Sequence, residues 1–296
     1  MQGKFCRRIT FFFFFTLSMN TWGGRVVYDN GDIFEGNIVD GLRQGTGKYL
    51  WFNGDRYEGG FKADQLYGTG LFRWADGRFY QGEFFESRRE GKGFYSSASG
   101  DTYEGDFVEG SMHGIGVSRW VNGDFYSGRY FRGQKEGKGE FIWANGEKFI
   151  GDFLGDRMDG TGTYYYSDGS EYRGEFKNGI RHGLARFRDV DGEVFHGFYI
   201  DGERHGFGIS RTDDSTPILE YWTAGIRKES KKLNHRNECR IDFENREWIF
   251  TSKECVNGVA HGKGEIVSSD YSIILHDVHI VLGRVIKGQR LVLGIR

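Results

Sequence analysis

The chain has 296 residues, of which 40 are basic and 42 acidic, giving a net charge of −2. Charge this balanced speaks against a nucleic-acid binder, which carries a basic face. It also leaves the central region without a polybasic patch for an anionic membrane.

In chain order, Lys4, Arg7 and Arg8 precede an apolar stretch from Ile9 to Leu17 that contains Phe11 to Phe15. Basic followed by apolar is the shape of a signal peptide or anchor. The stretch is too short to span a bilayer as a helix, and no small-x-small site follows it. The alternative is an untranslated or disordered leader, 1–23, with Met19 as the start.

From residue 24 onward the sequence repeats. Gly-x-Gly or Gly-x-Ala steps begin at Gly45, Gly68, Gly91, Gly114, Gly137, Gly160, Gly183 and Gly206, always 23 residues apart. Phe34, Tyr57, Tyr80, Tyr103, Tyr126, Phe149, Tyr172 and Phe195 keep the same step, each followed two residues later by glycine. A fixed period of this length means a stacked array of one supersecondary unit. Within a unit the residues alternate. Phe34, Gly36 and Ile38 share one face, as do Gly45, Gly47, Tyr49 and Trp51, with Thr46, Lys48 and Leu50 opposite. That is the strand period. Residues 39–44 read as a turn between the two strands, and Asn53-Gly54 as a tight turn into the next unit. Each unit is therefore a β-hairpin. The expected fold is all-β: an elongated, single-layer antiparallel meander of about eight hairpins, roughly 77 Å long for sixteen strands. Glycine weakens a strand, so the glycines need a reason: they leave room for a ring to lie over the backbone. No helix is available to cover the sheet, and the rings must form a core among themselves.

The pattern Gly-Asp-x-Tyr-x-Gly-x-Phe-x-x-Gly-x-x-x-Gly-x-Gly resembles the MORN repeat (membrane occupation and recognition nexus). It is clearest in Gly54 to Phe61 and in Gly100 to Phe107. The resemblance covers residues 24–214. It implies a scaffold in axonemal, basal-body or cortical complexes, with protein and cytoskeletal partners, sometimes a homodimer, and, from the family's name, contact with acidic phospholipid.

The register decays after 214. Ile218, Trp222 and Gly225 still fit a worn ninth unit, 215–225, although Glu220 replaces the glycine. A polar linker is expected over 226–236. Its cations Arg227, Lys228, Lys231, Lys232 and Arg236 are the candidate lipid contact. Over 237–296, Asn257 to Gly264 echoes Asn178 to Gly183, and β-branched runs follow. Diverged hairpins that cap the open end are expected, with a separate binding module as the alternative.

A search for chemistry returns little. His113, His182, His205 and His261 share a turn position, but neighbouring units stand about 9.6 Å apart, too far to share a zinc ion. The Gly-x-Gly steps are followed by strands, not by the helix a phosphate loop needs. No catalytic motif is present. The acidic residues Glu83, Asp106, Asp152 and Glu175 read as solvated. No catalytic residue, metal or cofactor is assigned, and the chain reads as a non-enzyme, with an accessory module of an enzyme complex as the weakest alternative. Cys6, Cys239 and Cys255 form no disulfide framework, so a reducing, cytoplasmic compartment is expected, the protein being associated there with cytoskeleton or membrane. One column stands out: Trp51, Trp74, Trp120, Trp143 and Tyr166 close the second strand of their units. They are either core or an aromatic groove for a partner peptide.

Overall fold

The structure is a computed structural model. It describes residues 23–212, 216–233, 239, 241, 243–244, 246–251, 255–256, 259–260, 262–281 and 284–293. The leader up to Trp22, Arg236 and His261 lie outside them. No described helix is long and apolar enough to cross a membrane.

Nineteen strands form one antiparallel meander, each paired to the next. They are β1 (Arg25–Val27), β2 (Ile33–Val39), β3 (Leu42–Leu50), β4 (Arg56–Lys62), β5 (Gln65–Arg73), β6 (Phe79–Phe85), β7 (Arg88–Ser96), β8 (Thr102–Val108), β9 (Ser111–Arg119) and β10 (Phe125–Phe131). The run continues through β11 (Gln134–Ile142), β12 (Lys148–Leu154), β13 (Arg157–Tyr165), β14 (Glu171–Lys177), β15 (Ile180–Arg188), β16 (Val194–Ile200), β17 (Glu203–Arg211), β18 (Ile218–Thr223) and β19 (Ile226–Lys232). A seven-residue strand alternates with a nine-residue strand through all eight full units.

Two details of the repeat differ from the sequence reading. The turn expected over 39–44 is only Asp40-Gly41, with φ of 52° and 80°, so β3 begins at Leu42. The two surplus residues go into a bulge. In β4–β5, Gly59 opposes Gly70 and Phe61 opposes Leu66, which leaves Tyr67, Gly68 and Thr69 opposite Gly60. The two glycines of each Gly-x-Gly step therefore do different jobs. The first, such as Gly68 at φ 70°, makes the left-handed kink of the bulge. The second, such as Gly70, lies under a ring. A Cβ there would overlap the Tyr57 phenol, and a Cβ on Gly59 would meet Tyr57 Oη and Gly70 Cα.

With that space cleared, the rings build their own core. Tyr57 stands edge-on to Phe61 at 5.2 Å and to Phe84 at 5.2 Å. The same contact recurs unit after unit to Tyr172–Tyr199 at 5.1 Å and Phe195–Tyr199 at 6.0 Å. Edge-to-face contact suits the ring quadrupole, and Tyr57, Tyr80, Tyr103, Tyr126 and Tyr172 are buried. Their hydroxyls donate to carbonyls freed by the bulge, Tyr57 to Gly60 O at 3.0 Å and Tyr103 to Asp106 O at 2.9 Å. Burial raises these phenols above the ordinary tyrosine range, so they persist as donors.

Both rims are stapled between units. Asp55, Asp101 and Asp124 accept the backbone N–H of Ala75, Val121 and Ala144 at 2.8–2.9 Å. On the other rim, backbone N–H groups of each turn donate one unit back, as Gly110 to Arg89 O at 2.9 Å. The acidic residues read as solvated are also engaged. Glu83, Asp106 and Asp152 accept the bulge N–H of Lys92, Ile115 and Thr161 at 3.0–3.1 Å.

The expected polar linker is corrected over 226–232. This stretch is β19, the last strand of the sheet, completing a ninth hairpin with β18. Its side chains are exposed throughout, so composition misled while backbone pairing decided. In this hairpin Ile218 stands where a ring stands elsewhere, and the space is taken by Glu220, 1% exposed. Its carboxylate accepts from Ser210 Oγ at 2.9 Å, Trp222 Nε1 at 3.0 Å and Arg227 Nη1 at 2.7 Å.

Beyond it lie β20 (Trp248–Phe250), β21 (Cys255–Val256), β22 (Val259–Ala260), β23 (Gly262–Ser268), β24 (Ile273–Val281) and β25 (Arg284–Val292). Strands β20, β23, β24 and β25 make a second sheet. Ile249, Val267, Ile274 and Leu293 from this region pack on Ile209, Leu219 and Leu233 of the array's end. The other face of that sheet holds Trp248, Phe250, Ile266 and Leu275, with Cys239 and Ile241. Lys231 pairs with Glu265 across the junction at 2.9 Å. The expectation about cysteines is corrected as well: Cys239 is disulfide-bonded, its partner lying outside the described side chains. The reducing-compartment reading loses that support.

Candidate aromatic surface

Column by column, the aromatic face has two halves. One half is the buried edge-to-face stack. The other is an open strip of half-buried rings beside it. Trp51, Trp74, Trp120, Trp143 and Tyr166 follow directly on the nine-residue strands, and all but Trp120, which has Ser118 there, lean on the ring two residues earlier. Phe72–Trp74, Phe141–Trp143 and Tyr164–Tyr166 each stand 4.6 Å apart. Contacts also cross between units, Trp51–Phe72 at 5.1 Å, Trp120–Phe141 at 5.6 Å and Trp143–Tyr164 at 5.2 Å. The column is thus packed against the core on one side and open on the other.

Two further columns of the strip were not singled out from the sequence, although both keep the 23-residue step. One is the inner ring, Tyr49, Phe72, Tyr95, Phe141, Tyr164 and Phe187, with Ser118 in the place of a ring between Tyr95 and Phe141. The other holds cations in alternate units up to the seventh, Arg43, Arg89, Lys135 and Arg181, with Leu66, Met112 and Met158 between them, and then Arg204 directly after Arg181. Arg43 lies 4.6 Å from the Tyr49 ring and Lys135 5.4 Å from Phe141. Each also ties down the next turn, Arg43 to Asp64 at 2.9 Å and Lys135 to Asp156 at 3.3 Å.

The strip's chemistry is that of rings and donors. Tyr49 donates to Asp32 Oδ2 at 2.7 Å and Tyr164 to Glu147 Oε2 at 2.6 Å. Burial, then the Asp32 carboxylate, raises Tyr49 to about 12. The Tyr49 hydrogen bond in turn holds Asp32 below the usual carboxylate range. Phenols held protonated in this way offer no general base. At the C-terminal end of the strip a depression of about 270 Å³ is lined by Arg181, Phe187, Tyr199, Arg204 and Trp222. A larger one of about 470 Å³ lies on the opposite face, over Ser127, Glu140, Ile150, Thr163 and Arg173. It is a groove between strands rather than a ring-lined site.

The candidate lipid contact is divided by the fold. Arg227 is held by Glu220 and Lys231 by Glu265, while Lys228 and Lys232 have no ion-pair partner among the described residues. His113, His182 and His205 are spread along β9, β15 and β17 and are not brought together. Among the described residues no cluster of three or more metal-ligating side chains occurs.

A ribbon of glycine-gapped hairpins with one aromatic face is a repeat module that presents a surface. The MORN-repeat model matches nine segments, 34–56, 57–77, 80–102, 103–125, 126–148, 149–171, 172–194, 195–215 and 256–273. The chain belongs to the MORN-repeat family. The ninth segment contains the echo at Asn257 to Gly264. No curated protein matches. Among solved structures the chain is similar to the TCP10 domain of Danio rerio CPAP, with 15% identity over 71% of this chain and 99% of that one, at a TM-score of 0.40. The Drosophila melanogaster SAS-4 (dCPAP) TCP domain in complex with a proline-rich motif of Ana2 (dSTIL) shows 12% identity, covering 59% and 83%, at a TM-score of 0.30. Likenesses at these scores carry no argument about this chain.

Proposed function

We propose that this protein is a non-enzymatic scaffold that holds protein partners along the aromatic strip at a cytoskeletal, ciliary or membrane-associated structure. The observation that carries this reading is the strip itself: half-buried Trp51, Trp74, Trp120, Trp143 and Tyr166 in register along one continuous sheet. Aromatic side chains dominate interface energetics, and a surface set by backbone pairing binds with little loss of conformational freedom. The phospholipid reading keeps two unpaired cations on β19, Lys228 and Lys232, which is thin for an electrostatic tether. The Trp120→Ala/Trp143→Ala variant tests the scaffold. The expected outcome is a folded protein that no longer stays with the detergent-resistant skeleton of its own cell. Unchanged retention in a folded variant contradicts the role of the strip.

A further inference from the structure

The partner class can be read from the spacing of the strip together with its unpaired donors; this rests on the scaffold reading above. Six tryptophans are described. Trp222 donates to Glu220 and Trp248 to Phe243 O. The indole N–H groups of Trp51, Trp74, Trp120 and Trp143 have no acceptor among the described residues. These four stand at one position of the repeat, half-buried and open on one side. With no protein acceptor, these donors are left to solvent, and a ligand carbonyl can take the place of water at each.

The spacing selects the ligand's conformation. Equivalent positions recur every two strands, about 9.6 Å along the ribbon. An α-helix returns nearly the same face every seven residues, about 10.5 Å, overshooting by about 0.9 Å at each unit. A β-strand returns it about every 6.6 Å and falls out of step at once. A polyproline II helix repeats every three residues at about 9.3 Å, within about 0.3 Å of the array. Its carbonyls have no internal hydrogen bonds, so they supply the acceptor the indoles need. Proline rings also pack flat on aromatic faces, the mode by which proline-rich segments dock in aromatic grooves.

We propose that Trp120, Trp143 and Tyr166, over the unbroken ladder through Phe141 and Tyr164, bind a proline-rich segment in polyproline II conformation lying along the ribbon. One ligand turn meets each repeat, and indole N–H groups donate to carbonyls three residues apart. Ser97, in the column between Trp74 and Trp120, leaves Trp51 and Trp74 as a second, shorter site.

The test uses the full chain and an oligoproline peptide of roughly twelve residues, followed by tryptophan fluorescence. Saturable binding is expected, weakened at least about tenfold in Trp120→Phe/Trp143→Phe, which keeps the rings and removes the donors. Should that pair lose its cooperative melt, Trp143→Phe alone is read instead. No binding of oligoproline, equal binding by the variant, or equal binding of a Gly-Ser peptide of the same length overturns the proposal. A partner that crosslinks to the strip in cells yet carries no proline-rich segment overturns it too, while leaving the scaffold intact. No crosslink from the strip contradicts both.

Discussion

At the residue scale, pairs of residues decide the fold. The buried rings of the first aromatic column, from Phe34 to Phe149 and again at Phe195, each lie over two glycines whose Cβ atoms would overlap them; under Tyr172 the second of the pair is Ala185. Gly139, under Tyr126, is one such position, since a Cβ would overlap the phenol. We expect Gly139→Ala to destabilise by about 1–3 kcal/mol through overpacking. A cycle with Tyr126→Ala, read by denaturant unfolding, is expected to show strong coupling; additive effects contradict the account. Where Ser118 interrupts the inner rings it shares a buried hydrogen bond with Tyr130 at 2.6 Å, and where Ile218 stands in place of a first-column ring, Glu220 occupies the glycine position, 1% exposed. Removing Arg227 strands that buried carboxylate, so Arg227→Ala is expected to cost about 1–3 kcal/mol, checked by the unfolding midpoint. The ring–glycine pairing was legible in the sequence because both columns keep the 23-residue step. The Glu220 network was not, because it joins Ser210, Trp222 and Arg227 at positions that repeat nowhere else.

At the element scale, the bulge was the hidden feature. Alternation alone predicted a six-residue turn over 39–44. A two-residue turn and a kinked strand use the same residues, and only the positive φ at Gly45 separates the two. Strand β19 was hidden for the opposite reason. Its side chains face solvent on both sides of a sheet end, so nothing in Arg227 to Lys232 resembles a strand. The second sheet packs on the opposite face of the array from the aromatic stack, and there His196 is 8% exposed. Burial, then the charges of Arg186 and Arg211, lowers its imidazole to about 4. An unfolded histidine titrates near 6.5. The unfolded chain therefore takes up the proton first, and stability present above about pH 6.5 is lost as pH falls toward 4. Compared with wild type, His196→Phe is expected to lose less stability across that window in denaturant titrations. Parallel profiles contradict the assignment.

At the scale of the whole molecule, nineteen strands give a ribbon of roughly 90 Å at about 4.8 Å per strand. Neighbours touch only neighbours, with the second sheet closing one end. Each unit is therefore stabilised by its own contacts and by those with its two neighbours. The family and the scaffold were legible in the sequence because a repeat writes its architecture eight times over. The strip was only half legible: its tryptophan column was visible, whereas the inner rings and alternate cations gain meaning from the register that sets them side by side. The most direct test of the central claim places a photoreactive phenylalanine analogue at one of two adjacent positions in the native cell. Phe141 lies in the strip, and Ile142 faces the other side of the same strand. The account predicts a defined protein crosslink from position 141 and none from 142. Crosslinks from 142 alone, or to lipid rather than protein, would contradict it.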